Sequence, residues 1–182
     1  MVRITAQLLS VAEQRVNPLQ DRELVLSGLG IVAIENMAAA ADHFDCWDLS
    51  NNFLTALDNF PKRKRLSHLL LSNNRISTFM VQNLINSGVG ANLRTITLSN
   101  NNVESLQQIA NLAKACPKLE FLTLTGNPVT SKQHSTKAKR RILIYLFLVE
   151  KISLVLANAS IKPVAGDQAN SVSVSGKRED QR

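Results

Sequence analysis

The stretch from Leu66 to Ile76 reads LSHLLLSNNRI and fits the pattern L-x-x-L-x-L-x-x-N-x-L. Three further full copies of this pattern begin at Phe44, Leu93 and Leu119. A degenerate copy precedes them and keeps three of the apolar positions, at Leu24, Leu26 and Ile31. It carries Leu29 where the other copies carry asparagine. Self-similarity at a nearly fixed period indicates that the chain is built from a structural repeat.

The asparagine positions 29, 52, 74, 101 and 127 are 23, 22, 27 and 26 residues apart, and leucine-rich repeats span roughly 20–29 residues. Each L-x-L core predicts a short strand whose alternate side chains point inward. The asparagine amides are expected to satisfy backbone groups inside the solenoid; these structural asparagines are Asn52, Asn74, Asn101 and Asn127. The repeat therefore predicts an α/β leucine-rich-repeat solenoid, with short parallel strands on its concave face and helices and turns on its convex face.

The segments between and around the repeats predict helices and caps. Apolar spacing predicts convex helices over residues 80–86 and 107–116. At the N-terminus, Thr5 is expected to cap a helix whose stripe is Leu8, Leu9, Ala12 and Val16, and Asn17-Pro18 is expected to end it. We expect residues 1–156 to form one leucine-rich-repeat domain, with this helical cap at its start and a divergent cap at its end. The polar residues 157–182 are expected to be a disordered tail.

Composition excludes several classes of protein. The chain has 182 residues and two cysteines, Cys46 and Cys116, too few for a disulfide scaffold or a four-thiolate zinc site. No stretch approaches the roughly 20 apolar residues of a membrane span. The three histidines have no metal-ligand spacing, and no phosphate-binding loop or nucleophile motif occurs. We therefore predict no catalytic residue, no metal, no cofactor, no membrane contact and no enzymatic activity.

The net charge of +7 is unevenly distributed along the chain. Residues 1–60 carry three basic and eight acidic side chains, whereas residues 61–182 carry 18 basic and six acidic. Two basic clusters stand out as candidate RNA-proximal or nuclear-import segments. The first is Lys62, Arg63, Lys64 and Arg65, and the second is Lys132, Lys137, Lys139, Arg140 and Arg141. The alternative is that a cluster of this kind only solubilises a loop.

Strand alternation predicts which side chains line the concave face, where solenoids commonly bind partners. The candidate partner-binding residues are Glu23, Val25, Cys46, Asp48, His68, Leu70, Thr95, Thr97, Phe121 and Thr123. Glu23 and Asp48 are expected to face solvent and to meet basic residues of a partner. Leu70 and Phe121 are expected to be apolar anchors. The alternative is a face that is merely solvated.

Several segments resemble one family, the A-prime protein of the U2 spliceosomal small nuclear ribonucleoprotein. They are Met1 to Ala6 (MVRITA), Asp21 to Leu24 (DREL), Ile34 to Asn36 (IEN), Phe44-Asp45, Leu57 to Pro61 (LDNFP), Asn73 to Ile76 (NNRI) and Gly126 to Thr130 (GNPVT). The resemblance covers about residues 1–134. Two segments depart from the family pattern: Lys62 and Arg63 stand where apolar residues are usual, and the sequence after His134 lacks the usual closing cap.

The resemblance implies a non-enzymatic scaffold of the nucleus that takes part in pre-mRNA splicing. Its concave face would grip the RNA-recognition-motif domain of the B-double-prime protein, with Glu23 and Asp48 holding basic residues of that partner. The pair would bind a stem-loop of U2 small nuclear RNA, mainly through the partner, and would meet other spliceosome proteins. The alternatives are another leucine-rich-repeat adaptor, such as a phosphatase-regulating subunit, and direct nucleic-acid binding through the basic clusters.

Overall fold

The computed structural model describes residues 2–130, 153–157 and 159–161. Within these ranges the α-helices are Ala6–Val11 (α1), Val81–Asn86 (α2) and Leu106–Ala115 (α3). The strands are Glu13–Val16 (β1), Arg22–Val25 (β2), Cys46–Asp48 (β3), Ala56–Leu57 (β4), His68–Leu70 (β5), Thr78–Phe79 (β6), Thr95–Thr97 (β7), Phe121–Thr123 (β8), Ser153–Ala157 (β9) and Ala159–Ile161 (β10). Short 3-10 helices lie at Met37–Ala39 and Pro128–Thr130.

Among the described residues, eight strands form one sheet in the order β1-β2-β3-β5-β7-β8-β9-β10. The strands from β2 to β9 pair in parallel, and β1 and β10 add an antiparallel strand at either end. β4 and β6 form a second, two-stranded parallel sheet. Each full repeat contributes one strand to the main sheet, so the predicted α/β leucine-rich-repeat architecture is confirmed.

The core consists of the apolar positions of the repeat. In the copy from Leu66 to Ile76, the four apolar positions are fully buried, and the corresponding positions of the other three full copies are also buried. In the degenerate copy, Leu24, Leu26 and Ile31 are buried in the same way. Burying a leucine or isoleucine side chain contributes about 1.5–3 kcal/mol. The same positions recur in each turn, so the core runs continuously along the solenoid.

The structural asparagines connect consecutive turns of the solenoid, as predicted. The Oδ1 of Asn101 accepts from the Ile76 backbone N–H at 2.9 Å, and its Nδ2 donates to the Leu71 carbonyl of the preceding repeat at 2.9 Å. Asn52, Asn74 and Asn127 make the same two kinds of bond one repeat back. The first repeat is preceded by the N-terminal segment, whose Val2 N–H bonds to the Gly30 carbonyl at 3.1 Å, and not by another copy of the repeat, so Leu29 has no equivalent inter-repeat bonds to make.

A second row of asparagines, Asn51, Asn73 and Asn100, lies exposed beside the buried one. Each has a left-handed backbone, with φ between 55° and 58°, a conformation that asparagine tolerates better than most residues. Asn73 Nδ2 donates to Asn51 Oδ1, and Asn100 Nδ2 donates to Asn73 Oδ1, both at 2.8 Å. These residues form the turn after each strand.

The convex helices lie close to their predicted positions. Met80 is the residue before α2, and α3 ends one residue before Cys116, which is fully buried. The Ser105 hydroxyl caps α3 by accepting from the Gln108 backbone N–H at 3.3 Å. Among the residues that the structure describes, no helix has the length and apolar character needed to cross a bilayer.

The N-terminal helix is shorter than predicted, and the placement of Val16 in its stripe was wrong. Thr5 does cap α1, since its Oγ1 accepts from the Leu8 N–H at 3.1 Å. The chain then turns into β1, where Val16 is an exposed strand residue paired with Arg22. The Oδ1 of Asn17 accepts from the backbone N–H groups of Leu19 and Asp21 and so builds the turn of a hairpin. β1 pairs with the free edge of β2 and satisfies its backbone hydrogen-bonding groups, which a helix could not do.

At the other end, the predicted boundary between domain and tail falls inside a strand. β9 runs from Ser153 to Ala157 and pairs in parallel with β8, and Ala159–Ile161 continues the sheet as β10. The sheet therefore extends past residue 156. The rest of the predicted tail, and residues 131–152 of the predicted cap, lie outside the described residues.

Candidate functional site

The ten predicted concave residues lie on the five parallel strands β2, β3, β5, β7 and β8. Strand register places them in two rows across the sheet. The first concave row is Glu23, Cys46, His68, Thr95 and Phe121. The second concave row is Val25, Asp48, Leu70, Thr97 and Thr123. Because one fully buried apolar residue separates the two rows on each strand, all ten residues share one face of the sheet.

Glu23 differs from the prediction, because it does not face solvent. Its residue surface is only 3% exposed. Arg15, on the antiparallel strand β1, donates from Nε to Oε2 at 3.1 Å and from Nη2 to Oε1 at 3.0 Å. This two-pronged ion pair also raises the pKa of Arg15. Glu23 is thus already paired within the chain, so the expectation that it faces solvent was wrong. Its contact with a basic partner residue stays a prediction.

The predicted N-terminal helix extended through Arg15, so this residue was not expected to lie beside Glu23. The segment Glu13–Val16 shows no alternation of polar and apolar residues, since its first three residues are polar and all four are exposed. The Asn17-Pro18 turn signal was the available hint of a hairpin. Glu13 and Arg15 then point to the same side of β1, and their side chains are 3.6 Å apart.

His68 also has an acidic neighbour within the chain. Its Nε2 lies 3.5 Å from Oδ2 of Asp21, a residue that precedes β2 and that the sequence analysis did not assign to the face. Both side chains are about one-fifth exposed. The pair becomes an ion pair when the imidazole is protonated. At this end of the face, Asp21 and Glu23 therefore both have partners inside the chain.

Asp48 is the acidic side chain of the two rows that remains available. It is half-buried, and its Oδ1 accepts from the Ser50 backbone N–H at 2.9 Å. Within residues 2–130, no lysine, arginine or histidine forms an ion pair with it. The prediction that Asp48 points into the concave face holds, and its carboxylate can accept a further hydrogen bond from a basic group.

Cys46 lies between these carboxylates and is almost fully buried. Burial, and after it the negative charges of Glu23, Asp48 and Asp21, raise the pKa of its thiol to about 12. A thiol with that pKa stays protonated at neutral pH and is a poor nucleophile and a poor metal ligand. Cys46 therefore acts as a small apolar element of the face. Among the described residues, no group of three His, Cys, Asp or Glu side chains is arranged to hold a metal ion.

Around β7 and β8 the face carries small hydroxyl side chains and one exposed aromatic ring. Phe121 is 52% exposed at the end of the first row. Leu70, Thr95, Thr97 and Thr123 are half-buried and leave its approach open. Short hydroxyl side chains let the backbone of a partner come close to a sheet, and an exposed aromatic ring gives it an apolar contact. The face thus changes along the solenoid from paired charges to an exposed ring.

The first basic cluster does not act as a unit. Arg63 is 8% exposed, and its guanidinium donates to the carbonyl oxygens of Met37 at 2.6 Å and Ala40 at 2.8 Å. Met37 begins the 3-10 helix Met37–Ala39 and Ala40 follows it, so Arg63 holds this segment from inside and its guanidinium is not exposed to an RNA. Arg65 pairs with Asp45 at 3.0 Å. Lys62 and Lys64 are exposed and stay available.

The burial of Arg63 could have been inferred from its position in the sequence. It stands where the resembled family usually carries an apolar residue, which marks an inward-facing position of the loop. The second basic cluster, Lys132, Lys137, Lys139, Arg140 and Arg141, lies outside the described residues. Its predicted proximity to RNA stays a prediction.

Comparisons with known proteins agree with this architecture. A family model described as a leucine-rich repeat matches residues 1–172. A U2 small nuclear ribonucleoprotein A' from Arabidopsis thaliana is 34% identical over 182 residues, which cover 98% of this chain and 67% of the relative. The chain belongs to the U2 small nuclear ribonucleoprotein A' family. A probable member from Caenorhabditis elegans is 43% identical over 137 residues, which are 74% of this chain and 51% of that relative.

A solved structure also matches this member of the U2 A' family. A chain in the crystal structure of a Drosophila melanogaster SNF/U2A' complex aligns with a TM-score of 0.73 and 36% identity, covering 86% of this chain and 85% of that chain. The chain spans about half the length of several curated relatives, including the Caenorhabditis elegans and Homo sapiens proteins. Family membership confirms the resemblance found in the sequence. The family model also confirms the prediction of a leucine-rich-repeat protein.

Proposed function

We infer that this chain is a scaffold of the U2 small nuclear ribonucleoprotein. Its concave face binds the RNA-recognition-motif domain of a B-double-prime-type protein and assists that partner in binding a U2 small nuclear RNA stem-loop. The observation that carries this proposal is the match to a chain crystallised as a SNF/U2A' complex, combined with an open concave face on this chain. The proposed location is the nucleus, where pre-mRNA is spliced.

The two concave rows suit a helix of the partner. The small residues Thr95, Thr97 and Thr123 allow the helix backbone to approach the sheet. Phe121 and Leu70 offer apolar surface to one part of it, and the Asp48 carboxylate accepts from a basic side chain near the other. Buried aromatic anchors and well-placed charged hydrogen bonds carry most of the affinity of such interfaces.

RNA binding is assigned mainly to the partner. In the first basic cluster, Arg63 and Arg65 are engaged with Met37, Ala40 and Asp45. Affinity for nucleic acid grows with the number of phosphates neutralised. Lys62 and Lys64 alone therefore give this part of the chain weak and non-specific attraction to RNA.

The test measures each binding step separately. The full chain and a B-double-prime RNA-recognition-motif domain are mixed without RNA and run on a sizing column, and a stable binary complex is the expected result. A gel-shift assay then compares the chain alone, the partner alone and the pair on the U2 stem-loop. A stem-loop with an altered loop sequence is the control.

The expected outcome is that the chain alone does not distinguish the two RNAs and that the pair binds the authentic stem-loop more tightly than the partner alone. Two results contradict the proposal. One is the absence of a binary complex. The other is tight, loop-specific RNA binding by this chain without a partner.

A further inference from the structure

A cluster of exposed apolar side chains lies at the start of the solenoid, away from the two concave rows. Val2, Leu29 and Phe53 keep 39%, 37% and 44% of their surfaces exposed. The side chains of Val2 and Phe53 flank Gly30, since they lie 4.0 and 3.8 Å from the position of a Cβ at that glycine. The guanidinium carbon of Arg75 lies 4.5 Å from the centre of the Phe53 ring. We call Val2, Leu29, Phe53 and Arg75 the corner patch.

The repeat holds this arrangement in place. Phe53 and Arg75 both follow the structural asparagine of their own repeat by one residue. Their backbone N–H groups bond to the preceding turn, Phe53 to the Ile31 carbonyl at 2.8 Å and Arg75 to the Leu54 carbonyl at 2.9 Å. The two side chains are therefore stacked by the geometry of consecutive turns. Little conformational entropy remains to be lost when a partner binds them.

The fold does not require apolar residues at these positions. Leu29 occupies an asparagine position whose inter-turn bonds have no counterpart in the first repeat, so a polar residue would serve equally well there. At the position of Phe53, the other repeats carry Gly30, Arg75, Asn102 and Pro128. Adjacent exposed apolar side chains that do not support the core indicate a surface used for binding.

Arg75 also lacks a partner inside the described part of the chain. Within residues 2–130 its guanidinium makes no hydrogen bond or ion pair, and its contact is the Phe53 ring. Other arginines on the surface are engaged, as in the pairs Arg3–Glu35, Arg65–Asp45 and Arg94–Glu120. Stacking on a ring leaves all the N–H donors at the edge of a guanidinium free, and these match a carboxylate in a two-pronged geometry.

The composition of the corner patch favours a protein partner over RNA. Arg75 is its single cation, and one cation neutralises too few phosphates to give RNA affinity. An arginine beside an aromatic ring and aliphatic side chains is instead typical of the residues that dominate protein interfaces.

We propose that the corner patch is a second protein-binding surface, and that its ligand is a short protein segment in which a carboxylate lies next to large apolar side chains. The carboxylate pairs with Arg75, and the apolar side chains cover Val2, Leu29 and Phe53. This surface is separate from the concave face, so the proposal stands independently of the function proposed above.

The test is a selection from a phage-displayed library of random peptides with the full chain as the target. Enriched peptides are expected to combine Asp or Glu with Leu, Ile or Phe. Their affinity is expected to fall about tenfold in Arg75→Gln and in Phe53→Ser, since both residues belong to the central contact. The matched control is Arg94→Gln, an exposed arginine outside the patch, which is expected to change the affinity by less than about twofold.

Amide shifts in NMR spectra map the bound peptide, with the expected changes at Gly30, Phe53 and Arg75. Thermal unfolding verifies that both patch variants fold, and Arg75→Gln decides alone if Phe53→Ser does not. Three results would overturn the proposal. They are enriched peptides without acidic residues, shifts confined to Thr95, Thr97 and Phe121, and an oligouridine probe that binds more tightly than the peptides in an Arg75-dependent way.

Discussion

The two ends of the concave face differ in how many of their side chains are already engaged. At the β2–β3 end, Arg15 pairs with Glu23, and Asp21 lies beside His68. At β7 and β8, the other end of the two concave rows, the Phe121 ring is half exposed and the threonines around it are half-buried without an ion pair. The same strand positions thus belong to a closed surface at one end and an open surface at the other.

This difference separates two roles that acidic residues can have on one sheet. Glu23 is buried, and its carboxylate holds the antiparallel strand β1 against β2 through Arg15. Asp48 lies on the next strand, half-buried, with no such partner among residues 2–130. We infer that Glu23 contributes to the end cap of the solenoid and that Asp48 contributes to binding.

The largest expected effect is on the reactivity of the two cysteine thiols in the folded chain. Burial raises the pKa of Cys116 to about 12, and Cys46 reaches about 12 through burial and its acidic neighbours. Relative to the ordinary value of 9.0, the thiolate fraction at neutral pH falls about a thousandfold. Iodoacetamide at pH 7.5 is therefore expected to label the unfolded chain rapidly and the native chain very slowly, as measured by mass spectrometry.

Each thiol also makes stability depend on pH. Because the pKa is raised in the folded state, this contribution is fully present below about pH 9 and is lost as the pH rises towards about 12. The variants Cys46→Ala and Cys116→Ala show which cysteine is labelled and which cysteine causes the loss of stability at alkaline pH. Fast labelling of Cys46 in the native chain would show that the β2–β3 end opens readily.

The next largest effect is expected on partner affinity when Phe121 on β8 is changed. Phe121→Ala removes the exposed ring, and an aromatic anchor contributes about 2 kcal/mol or more to an interface, equivalent to about a 30-fold change in affinity. Calorimetric titration with the B-double-prime RNA-recognition-motif domain measures the loss. Ile85→Ala is the matched control, since Ile85 is similarly exposed but lies on α2, outside the concave face and the corner patch. Equal affinities for the two variants would place the partner elsewhere.

The fold was predictable because one local pattern carries it. Three or four apolar side chains and an asparagine recur in phase, and a solenoid repeats the same local packing in every turn. The pattern also assigned Asn101 to the interior of the solenoid, and Asn101 is buried there. The end caps were less predictable, because they occur once and no second copy in the chain supports their assignment.

The site was predictable in position but not in availability. Strand alternation placed all ten concave residues on one face. Whether Glu23 was free depended on Arg15, which is eight residues away in sequence and belongs to the misassigned cap. Arg63 shows the same limit, because its carbonyl partners at Met37 and Ala40 lie more than 20 residues earlier. Composition alone assigns the same role to every residue of a charged run.

A smaller effect is expected at Asp48. Asp48→Asn keeps the shape of the side chain but removes the charge, and a hydrogen bond to a charged group contributes about 1.5–3 kcal/mol. Affinity for the partner is expected to fall about tenfold, with a weaker dependence on salt concentration. Thermal unfolding is expected to stay unchanged. Asp58→Asn, a half-buried aspartate in a convex loop, serves as the control.

The smallest effect on binding is expected for the same chemical change one strand away. Glu23→Gln keeps the size of a buried side chain and removes the charge that Arg15 pairs with. Partner affinity is expected to change by less than about twofold, because the carboxylate is not available to a partner. The melting temperature is expected to fall, because the ion pair between β1 and β2 is lost. A loss of affinity comparable to that of Asp48→Asn, without a change in melting temperature, would mean that Arg15 releases Glu23 when the partner binds.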